Sequence, residues 1–519
     1  MNSLSKLALV LTFCTGMIAC SGGKAVKGDY GVVPLPQEVT LTNGNPFVLS
    51  PSTKIFYPEG NDKMKKNAEF LASYIKEITG YELATATGQP GKGISLVIDQ
   101  SIQNPEGYQL TVSDNGIRIA GSTDAGVFYG IQTLRKSIPA TAQGMNVELP
   151  AATINDYPRF AYRGMMLDVS RHFFPVDSVK TYLDILALHN QNTFHWHLSD
   201  DQGWRIEIKK YPELTQIGSK RKETVIGHNS GTYDGKEYGG FYTQDQIRDV
   251  INYAAERHIT IIPEIDMPGH SAAFERTFKT DMQSEKGTQI LKDIIDEVCA
   301  TFDVPYLHIG TDEVQFTNPD FVPMMVKYIR DKGKKVISYN PGWNYKPGEI
   351  DMMQLWSYRG KAQKGIPAID CRFHYANHFD TYADLVAMFN SRIYNQPEGS
   401  DDLAGCIVAF WNDRFIDNTS QLLAENNFYP YMLTLAERAW RGGGNCYFDG
   451  KGTLLWEDEP EQLAAFREFE HRLLWQKKTW LKEVPFPYVC QTQSEWQITD
   501  AFPNGGDLNK VFQIGRAHV

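Results

Sequence analysis

The fold is decided by the stretch Tyr306-Leu307-His308-Ile309-Gly310-Thr311-Asp312-Glu313-Val314. Its first four residues form a short apolar run, which predicts a buried strand that ends at Gly310. Two adjacent carboxylates follow, and in a parallel α/β barrel the carboxyl ends of the strands carry the chemistry. Two neighbouring acids repel each other, which raises the pKa of one of them toward the range that a general acid needs near neutral pH. A pair of solvated loop acids is the alternative, so the surrounding chain has to decide between the two.

The chain around this stretch alternates between predicted strands and predicted helices. Eight strands are expected, at residues 161–167, 193–197, 260–265, 306–309, 335–339, 352–356, 368–372 and 406–410. Predicted helices lie between several of them, at 177–189, 243–257, 288–299 and 319–332, and two more follow at 428–440 and 460–474. Alternation of this kind over about 250 residues is typical of an α/β fold with a (β/α)8 barrel, the TIM barrel.

The segments before and after the barrel have different patterns. Residues 32–157 predict a small α+β domain that carries no catalytic pairing, with helices at 62–79 and 123–137. We expect the catalytic barrel at 158–480 and the start of a truncated C-terminal β-rich module at 481–519. The last six residues, 514–519, resemble translated sequencing-adapter read-through, so we expect the gene to continue beyond them.

The first 20 residues predict export. Lys6 precedes an apolar run too short to span a membrane as a stable helix, and small residues follow. Ala19-Cys20 resembles a bacterial lipoprotein signal, in which Cys20 becomes the lipidated first residue and residues 21–31 form a tether. The expectation is an exported lipoprotein anchored in a membrane of a bacterial cell envelope, facing the periplasm or on the outer membrane. An ordinary secretory signal with an incidental cysteine is the alternative.

The composition excludes some classes of function. The net charge is -11 and no basic cluster is present, so a nucleic-acid partner is not expected. The cysteines beyond the leader are scattered, which matches neither a disulfide framework nor a zinc signature. We therefore expect mostly buried thiols and no metal ion or other cofactor; these cysteines are Cys299, Cys371, Cys406, Cys446 and Cys490.

Polar and aromatic side chains follow every predicted barrel strand, where this fold places its active site. Each has an ordinary structural explanation when taken alone, such as a core histidine or a packed tryptophan. Packing does not explain such groups at all eight strand ends. In chain order they are Asp168, Ser170, Arg171 and His172; His197, Asp200, Asp201 and Trp204; Glu264, Asp266 and His270; Asp312 and Glu313; Trp343; Trp356; Tyr375 and Asn377; Trp411 and Asp413.

Four of these segments resemble glycoside hydrolase family 20, the β-N-acetylhexosaminidases. They are RGMMLDVSRH at 163–172, FHWHLSDD at 194–201, PEIDMPGH at 263–270 and HIGTDE at 308–313, and they come in the order typical of the family. The resemblance covers roughly residues 30–475. It implies exo-acting removal of terminal β-linked N-acetylhexosamine from a glycan, and a substrate-assisted mechanism in which the 2-acetamido oxygen attacks the anomeric carbon.

The resemblance also implies a role for each residue of the site. Glu313 would act as general acid and base, and Asp312 would orient the acetamido N–H and stabilise the oxazolinium charge. Arg171 would bind ring hydroxyls of the sugar, and Asp200 and the Asp266–His270 pair would support the acid. Tyr375, with Asn377 beside it, would donate a hydrogen bond to the acetamido oxygen, and Asp413 would contact O4 or O6. The walls of the acetamido pocket would come from Trp343, Trp356 and Trp411.

Two positions depart from the family pattern. Thr311 stands where the family usually has a second glycine, so the backbone beside the acids is expected to differ. Asp413 stands where the family often has glutamate, and its side chain is shorter by one methylene.

Two other functions compete with the exo-acting hydrolase. A sugar-binding lipoprotein on an inactive barrel has no need of a proton donor, which disfavours it. A covalent retaining glycosidase needs two carboxylates on opposite faces of the sugar, about 5 Å apart, and adjacent acids do not suit that geometry.

Overall fold

The computed structural model describes residues 25–88, 91–226, 230–372, 374–376, 385–413, 423, 428–444, 460–492, 496–498 and 512–514. Its N-terminal part contains two sheets. The larger is a mixed seven-stranded sheet in the order Glu38–Leu41, Ala152–Asp156, Tyr108–Ser113, Gly116–Gly121, Ile94–Ile98, Lys54–Tyr57 and Ala84–Thr87. The smaller pairs Val26–Lys27, Val147–Leu149 and Phe47–Leu49.

Two helices cover the larger sheet, Asp62–Thr79 and Asp124–Ser137. The first begins where the Asn61 side chain accepts a hydrogen bond from the backbone N–H of Met64, and it ends at Gly80, whose φ of 78° suits glycine. Its buried face carries Met64, Ala68, Leu71, Ile75 and Ile78, which is the spacing that predicted the helix. The predicted α+β pattern of this part is confirmed.

Eight parallel strands close into a barrel. In chain order they are Tyr162–Asp168, Thr193–His197, Thr260–Glu264, Tyr306–His308, Lys335–Asn340, Met352–Leu355, Ala368–Asp370 and Leu403–Phe410, called below the first to eighth barrel strands. The predicted barrel is confirmed: the second strand has the predicted bounds, and the ends of the others differ from prediction by at most three residues.

Helices follow most of the barrel strands but not all of them. Those described are Val176–Leu188, Gln244–Ala255, Ala272–Phe278, Glu285–Thr301, Phe321–Asp331, Leu385–Asn390 and Phe428–Arg441, with Pro460–Lys478 packed beyond the last. Residues 341–351 and 356–367, which are described throughout, connect the fifth, sixth and seventh strands without a helix. Trp343 and Trp356 therefore lie on loops. The short helix Ala272–Phe278 was not predicted.

The interior of the barrel changes from apolar to polar along its axis. Alternate residues of a strand point to the same face, so each strand contributes a stack of inward side chains. The apolar part comprises Tyr162, Met166, Ile262, Ile337, Met352, Ile369, Cys371, Ile407 and Ala409. Toward the carboxyl ends the buried residues become Asp168, His195, His197, Glu264 and His308. The change places a polar network directly under the mouth of the barrel.

The N-terminal domain is joined to the barrel by buried polar pairs. Arg163 on the first barrel strand donates to both oxygens of Glu106, at 2.8 and 2.9 Å. The indole N–H of Trp440 donates to Asp156 at 2.9 Å. Because these groups are shielded from water, the pairs hold the domain in a defined place against the barrel.

Two remaining expectations concern the cysteines and the end of the chain. Four cysteines are described as thiols, and three of them, Cys371, Cys406 and Cys490, are buried as predicted; Cys446 lies outside the described residues. Near the end, Trp496–Ile498 pairs in antiparallel fashion with Phe512–Ile514. Among the described residues, no helix has both the length and the apolar character that crossing a bilayer requires.

Candidate active site

The two acids lie on a tight turn after the fourth barrel strand. Gly310, Thr311 and Glu313 have φ values of 64°, 83° and 47°, which is the left-handed region. A Cβ atom on Gly310 would lie 1.8 Å from a carboxylate oxygen of Asp266, so glycine is required there. The turn directs the two neighbouring side chains differently: Asp312 is 7% exposed, while the side chain of Glu313 is 56% exposed.

Burial dominates the electrostatics of Asp312. It raises the pKa of this carboxyl to about 7, with His270 opposing the shift and Glu264 and Glu313 adding to it. The predicted repulsion by Glu313 acts in the expected direction, but the loss of water around Asp312 is the larger cause. Its Oδ1 atom is buried and accepts no hydrogen bond from the described residues. It therefore stands ready to accept one from a ligand.

His270 connects Glu313 with Asp200. One ring nitrogen, Nε2, lies 3.6 Å from a Glu313 oxygen, and the other, Nδ1, lies 3.5 Å from Asp200 and 3.8 Å from Asp201. Burial disfavours charge on this ring, but the hydrogen bonds that the ring donates to Asp200 and Asp201 outweigh it and raise the pKa of His270 to about 12. The ring is therefore a cation beside Glu313.

The expected pairing of His270 with Asp266 needs a correction. Within 4.0 Å, His270 pairs through Nδ1 with the loop acids Asp200 and Asp201, which follow the second barrel strand, and through Nε2 with Glu313. Asp266 lies within 4.8 Å of His270 and Asp312, but as a third, buried acid of the group rather than as the ring's ion-pair partner. Burial and then Asp312 raise the pKa of Asp266 well above its ordinary value.

Arg171 is held in place by three side chains. Its Nε donates to Gln202 at 3.0 Å, its Nη1 donates to Asp168 at 3.3 Å, and its Nη2 lies 2.8 Å from Asp200. The guanidinium carbon lies 5.3 Å from the ring centre of Trp411, a cation–π contact. This fixes the donor fork at the mouth of the barrel, as a sugar-binding arginine requires. Sequence reasoning missed Gln202, although it follows the Asp200-Asp201 pair directly.

The aromatic residues fall into two groups. Trp411 lies 5.0 Å from His197 and 6.1 Å from Tyr375, measured between ring centres. Trp343 packs edge-on against Phe316 at 4.8 Å, and the indole N–H of Trp356 donates to the Pro341 carbonyl at 2.7 Å. Tyr375 and Trp411 thus follow the seventh and eighth strands, and Trp343 and Trp356 lie on the loops after the fifth and sixth strands.

Two cavities open at the mouth of the barrel. One of about 420 Å3 is lined by residues that include Arg171, Gln202, Arg221, Asn412 and Asp413. The other, of about 540 Å3, is lined by residues that include Thr311, Glu313, Phe316, Trp356 and Arg359. The first is called the polar cavity below, and the second, which Glu313 lines, is partly aromatic. A third cavity of about 810 Å3 lies away from the acids, between the helices Phe428–Arg441 and Pro460–Lys478.

Comparison with known families agrees with this geometry. Residues 160–282 match the model of the glycosyl hydrolase family 20 catalytic domain, and residues 29–157 match domain 2 of the same family. The chain belongs to glycoside hydrolase family 20.

Three named β-hexosaminidases illustrate the similarity. A β-hexosaminidase of Porphyromonas gingivalis is 37% identical over 333 residues, which are 59% of this chain and 41% of the relative. A β-hexosaminidase of Vibrio furnissii is 43% identical over 305 residues, 54% of this chain and 48% of the relative. The match thus spans less than half the length of either. A mutant Streptomyces plicatus β-hexosaminidase, solved in complex with product GlcNAc, is 26% identical with a TM-score of 0.64, covering 85% of this chain and 95% of that chain.

Most of the site residues expected from the family 20 resemblance meet at the barrel mouth. Asp312, Glu313, His270, Asp266, Asp200 and Arg171 form one connected group. Trp411 and Tyr375 adjoin it, Asp413 lines the polar cavity, and Trp356 lines the cavity of Glu313. Trp343 is bound to the acid turn through its backbone. Asn377 and the lipidation candidate Cys20 lie outside the described residues.

Thr311 replaces the usual family 20 glycine and adds a link that glycine cannot make. A β-branched residue is strained at a φ of 83°. Its hydroxyl lies 2.7 Å from the Ser338 hydroxyl, and the backbone N–H of Trp343 donates to it at 3.3 Å. The hydroxyl therefore ties the acid turn to the loop that carries Trp343.

Thr311→Gly is expected to raise KM by about 3- to 10-fold while leaving thermal stability close to wild type. Relief of strain stabilises by about 1–3 kcal/mol and roughly offsets the lost hydrogen bonds and the added backbone freedom. The Trp343 loop, however, loses its tie to the acids. Steady-state kinetics and thermal unfolding check both values, and Thr311→Ser, which keeps the hydroxyl, is the control. An unchanged KM in the glycine variant would contradict the link.

Several groups of acids and histidines lie close enough to hold a cation, among them Asp266, His270 and Asp312 within 4.8 Å of one another. The raised pKa values of Asp266 and Asp312 favour their neutral forms, and the raised pKa of His270 keeps its ring positive, so the charge of the group is balanced without an added cation. The geometry therefore does not require an ion, and a metal-free, cofactor-free site stays our prediction.

Activity is expected to be unchanged after prolonged dialysis against EDTA, since no step of the proposed chemistry is assigned to a metal. The initial rate before and after dialysis, with elemental analysis of the protein, measures this. A loss of activity that Zn²⁺, Mn²⁺ or Ca²⁺ restores would show that the group holds a functional ion.

Proposed function

We propose that this protein is an exo-acting β-N-acetylhexosaminidase that removes terminal β-linked N-acetylglucosamine or N-acetylgalactosamine by a substrate-assisted retaining mechanism. The observation that carries the proposal is the different environment of two adjacent acids. Asp312 is buried and one of its oxygens accepts no hydrogen bond from the described part of the chain, while Glu313 is exposed beside a cationic His270. The named β-hexosaminidase relatives support the same activity.

The reaction begins with attack by the substrate's own acetamido oxygen on the anomeric carbon. Glu313 transfers its proton to the glycosidic oxygen as the bond from that oxygen to the anomeric carbon breaks. Asp312 accepts a hydrogen bond from the acetamido N–H and stabilises the positive charge of the oxazolinium intermediate. Water, deprotonated by Glu313, then attacks the anomeric carbon from the face that the leaving group left, so the β configuration is retained.

The remaining residues bind and orient the sugar. Arg171, fixed by Asp168 and Asp200, donates to ring hydroxyls. Trp411 and Tyr375 enclose the acetamido side of the pocket, and Asp413 contacts O4 or O6 from the polar cavity. The cavity beside Glu313 and Trp356 receives the leaving group, because Glu313 has to reach the glycosidic oxygen.

A covalent retaining mechanism fits the geometry less well. It needs a nucleophile and an acid on opposite faces of the sugar. Asp312 and Glu313 are neighbours on one turn, so their carboxylates are not set on opposite faces of a bound sugar. An inactive sugar-binding protein would not need a cation beside Glu313.

Two chromogenic substrates test the proposal, the 4-nitrophenyl β-glycosides of N-acetylglucosamine and N-acetylgalactosamine, assayed side by side. Release of nitrophenol from at least one, with tight inhibition by a thiazoline analogue of the oxazolinium, is the expected result. Absence of hydrolysis on both would refute the activity, and hydrolysis without thiazoline inhibition would refute the substrate-assisted route.

We also propose that the chain is exported and anchored to a membrane of the cell envelope by a lipid on Cys20. The sequence pattern of the leader, with Ala19-Cys20 at its end, supports this. Cys20→Ala is expected to move the protein from the membrane fraction to the soluble fraction. If the wild type and Cys20→Ala were distributed equally between the membrane and soluble fractions, the proposal would be refuted.

A further inference from the structure

A buried row of alternating charges leads from the interior of the barrel to Glu313. It begins at Glu264, the last residue of the third barrel strand, whose Oε2 lies 2.6 Å from His197 Nδ1. His197 Nε2 lies 2.9 Å from Asp200 Oδ2, and Asp200 Oδ1 lies 3.5 Å from His270 Nδ1. His270 Nε2 then lies 3.6 Å from Glu313. The row thus runs from a position with no exposed surface to the proposed proton donor.

The charge of His197 follows from its contacts. Both ring nitrogens lie within hydrogen-bond distance of a carboxylate oxygen, Glu264 on one side and Asp200 on the other. An ionised carboxylate accepts hydrogen bonds and donates none, so both nitrogens must carry a proton. Burial disfavours that charge, but Glu264 and Asp200 outweigh it and raise the pKa of His197 well above its ordinary value.

Glu264 is itself held on several sides. The same oxygen accepts from His195 Nε2 at 2.7 Å and from the hydroxyl of Tyr339 at 3.2 Å. His308 lies 3.4 Å from the other oxygen, and burial lowers the pKa of His308 to about 4, so this ring is neutral. His197 is then the cation that balances the buried charge of Glu264, as a buried carboxylate requires.

Asp200 is the point where the row branches. One oxygen, Oδ2, is shared by His197 Nε2 and Arg171 Nη2, and the other, Oδ1, faces His270 and accepts from the backbone N–H of Asp201. The orientation of this one carboxylate therefore sets both the sugar-binding guanidinium and the ring that supports the acid.

We propose that Glu264 and His197 are positioning residues of this reaction, which fix Asp200 and through it both Arg171 and His270. Neither touches the substrate. The test by enzyme kinetics rests on the proposed hydrolase function. The test by histidine-ring NMR needs no substrate and rests on the geometry alone. It accounts for a charged network inside the barrel, where apolar side chains would pack at lower electrostatic cost.

Glu264→Gln keeps the shape of the side chain and removes its charge. His197 then loses the balancing carboxylate, gives up one proton and no longer donates to both sides, so Asp200 is free to turn. We expect kcat to fall by about 10- to 100-fold, the size of effect that a small misplacement of catalytic groups produces, and KM to rise as Arg171 shifts.

The pH dependence separates positioning from mere stability. His270 is faced by Asp200 and Asp201, by Asp266 on its own loop, and by Asp312 and Glu313 on the acid turn. With Asp200 displaced, the ring loses its strongest partner and its proton is lost at lower pH. The basic limb of the kcat profile should therefore move to lower pH in Glu264→Gln.

Histidine-ring NMR reads the same effect without substrate. In the wild type the ring of His270 is expected to stay protonated up to pH 10. In Glu264→Gln the ring should lose its proton at a pH below 10. The His270 signal is assigned as the one that is missing from the spectrum of His270→Gln. Tyr339→Phe is the matched control, because it removes another hydrogen bond to the same Glu264 oxygen but leaves the row of charges intact. It should change thermal stability without shifting the basic limb of the kcat profile or the titration of the His270 signal.

His197→Gln is the second variant, in case Glu264→Gln fails to fold. It should likewise move the basic limb of the kcat profile and the titration of the His270 ring to lower pH. A variant that folds with lowered stability but an unchanged pH profile and an unchanged His270 titration would overturn the proposal. If the wild type hydrolysed no N-acetylhexosaminide, the proposed function would fail, while the NMR titration would still decide the inference.

Discussion

Glu313→Gln is expected to lower kcat by about 10²- to 10⁴-fold on substrates with a poor leaving group, the range for losing a general acid. The amide has the shape of the carboxyl but no proton to give to the glycosidic oxygen. Because Glu313 is exposed on the turn, folding should be unaffected. Kinetics with a series of aryl glycosides measures the effect, and the loss should shrink as the leaving group improves, since a good leaving group departs without protonation.

Asp320→Asn is the matched control for this substitution. It removes an exposed carboxylate from the same connection, just before the helix Phe321–Asp331, where the side chain caps nothing. Its activity should match the wild type. Near-normal turnover of Glu313→Gln, or a loss equal for good and poor leaving groups, would remove Glu313 from the role of proton donor.

Asp312→Asn is expected to lower kcat/KM by about 10²- to 10³-fold, the effect of losing one group that stabilises transition-state charge. In contrast to Glu313, the loss should be the same for all leaving groups, because Asp312 acts on the acetamido group. The wild-type pKa near 7 means that Asp312 is ionised only above that pH. The kcat/KM of the wild type should therefore fall as pH drops below about 7, and this limb should be absent in Asp312→Asn.

Stability gives a second, independent measurement on the same variant. A buried carboxyl with a raised pKa keeps its proton in the folded protein, so its contribution to stability is full below the ordinary range of aspartate and is lost as pH rises through about 7. Asparagine has no such loss. Thermal unfolding at pH 5 and pH 8 should show Asp312→Asn gaining relative to the wild type at the higher pH. An equal difference at both pH values would mean that Asp312 is not the buried acid described here.

The barrel and the place of its site were predictable because their signals are local. Each buried strand is a short apolar run, and each run ends at a polar residue that the parallel topology gathers at one end. The helix at 62–79 was predicted to the residue because its period, its asparagine cap and its final glycine agree. The short helix Ala272–Phe278 was missed because seven residues are too few to show a period.

The site's internal contacts were less predictable, since they depend on distances between loops. Nothing in the pattern distinguishes Asp200 from Asp266 as the partner of His270, because both follow strands next to it. The part that burial plays in raising the pKa of Asp312 was not predictable either, because the turn that buries one acid and exposes the other has three left-handed residues among four. Only coordinates reveal that Glu264 and His197 are charged and connected to the mouth.

The most direct test of the account compares hydrolysis of 4-nitrophenyl N-acetyl-β-D-glucosaminide with that of 4-nitrophenyl β-D-glucoside, which differs only in carrying a hydroxyl in place of the 2-acetamido group. If the sugar supplies its own nucleophile, kcat/KM should fall by at least about 10³-fold on the second substrate, since an intramolecular nucleophile is lost. Comparable rates on both substrates would contradict the account.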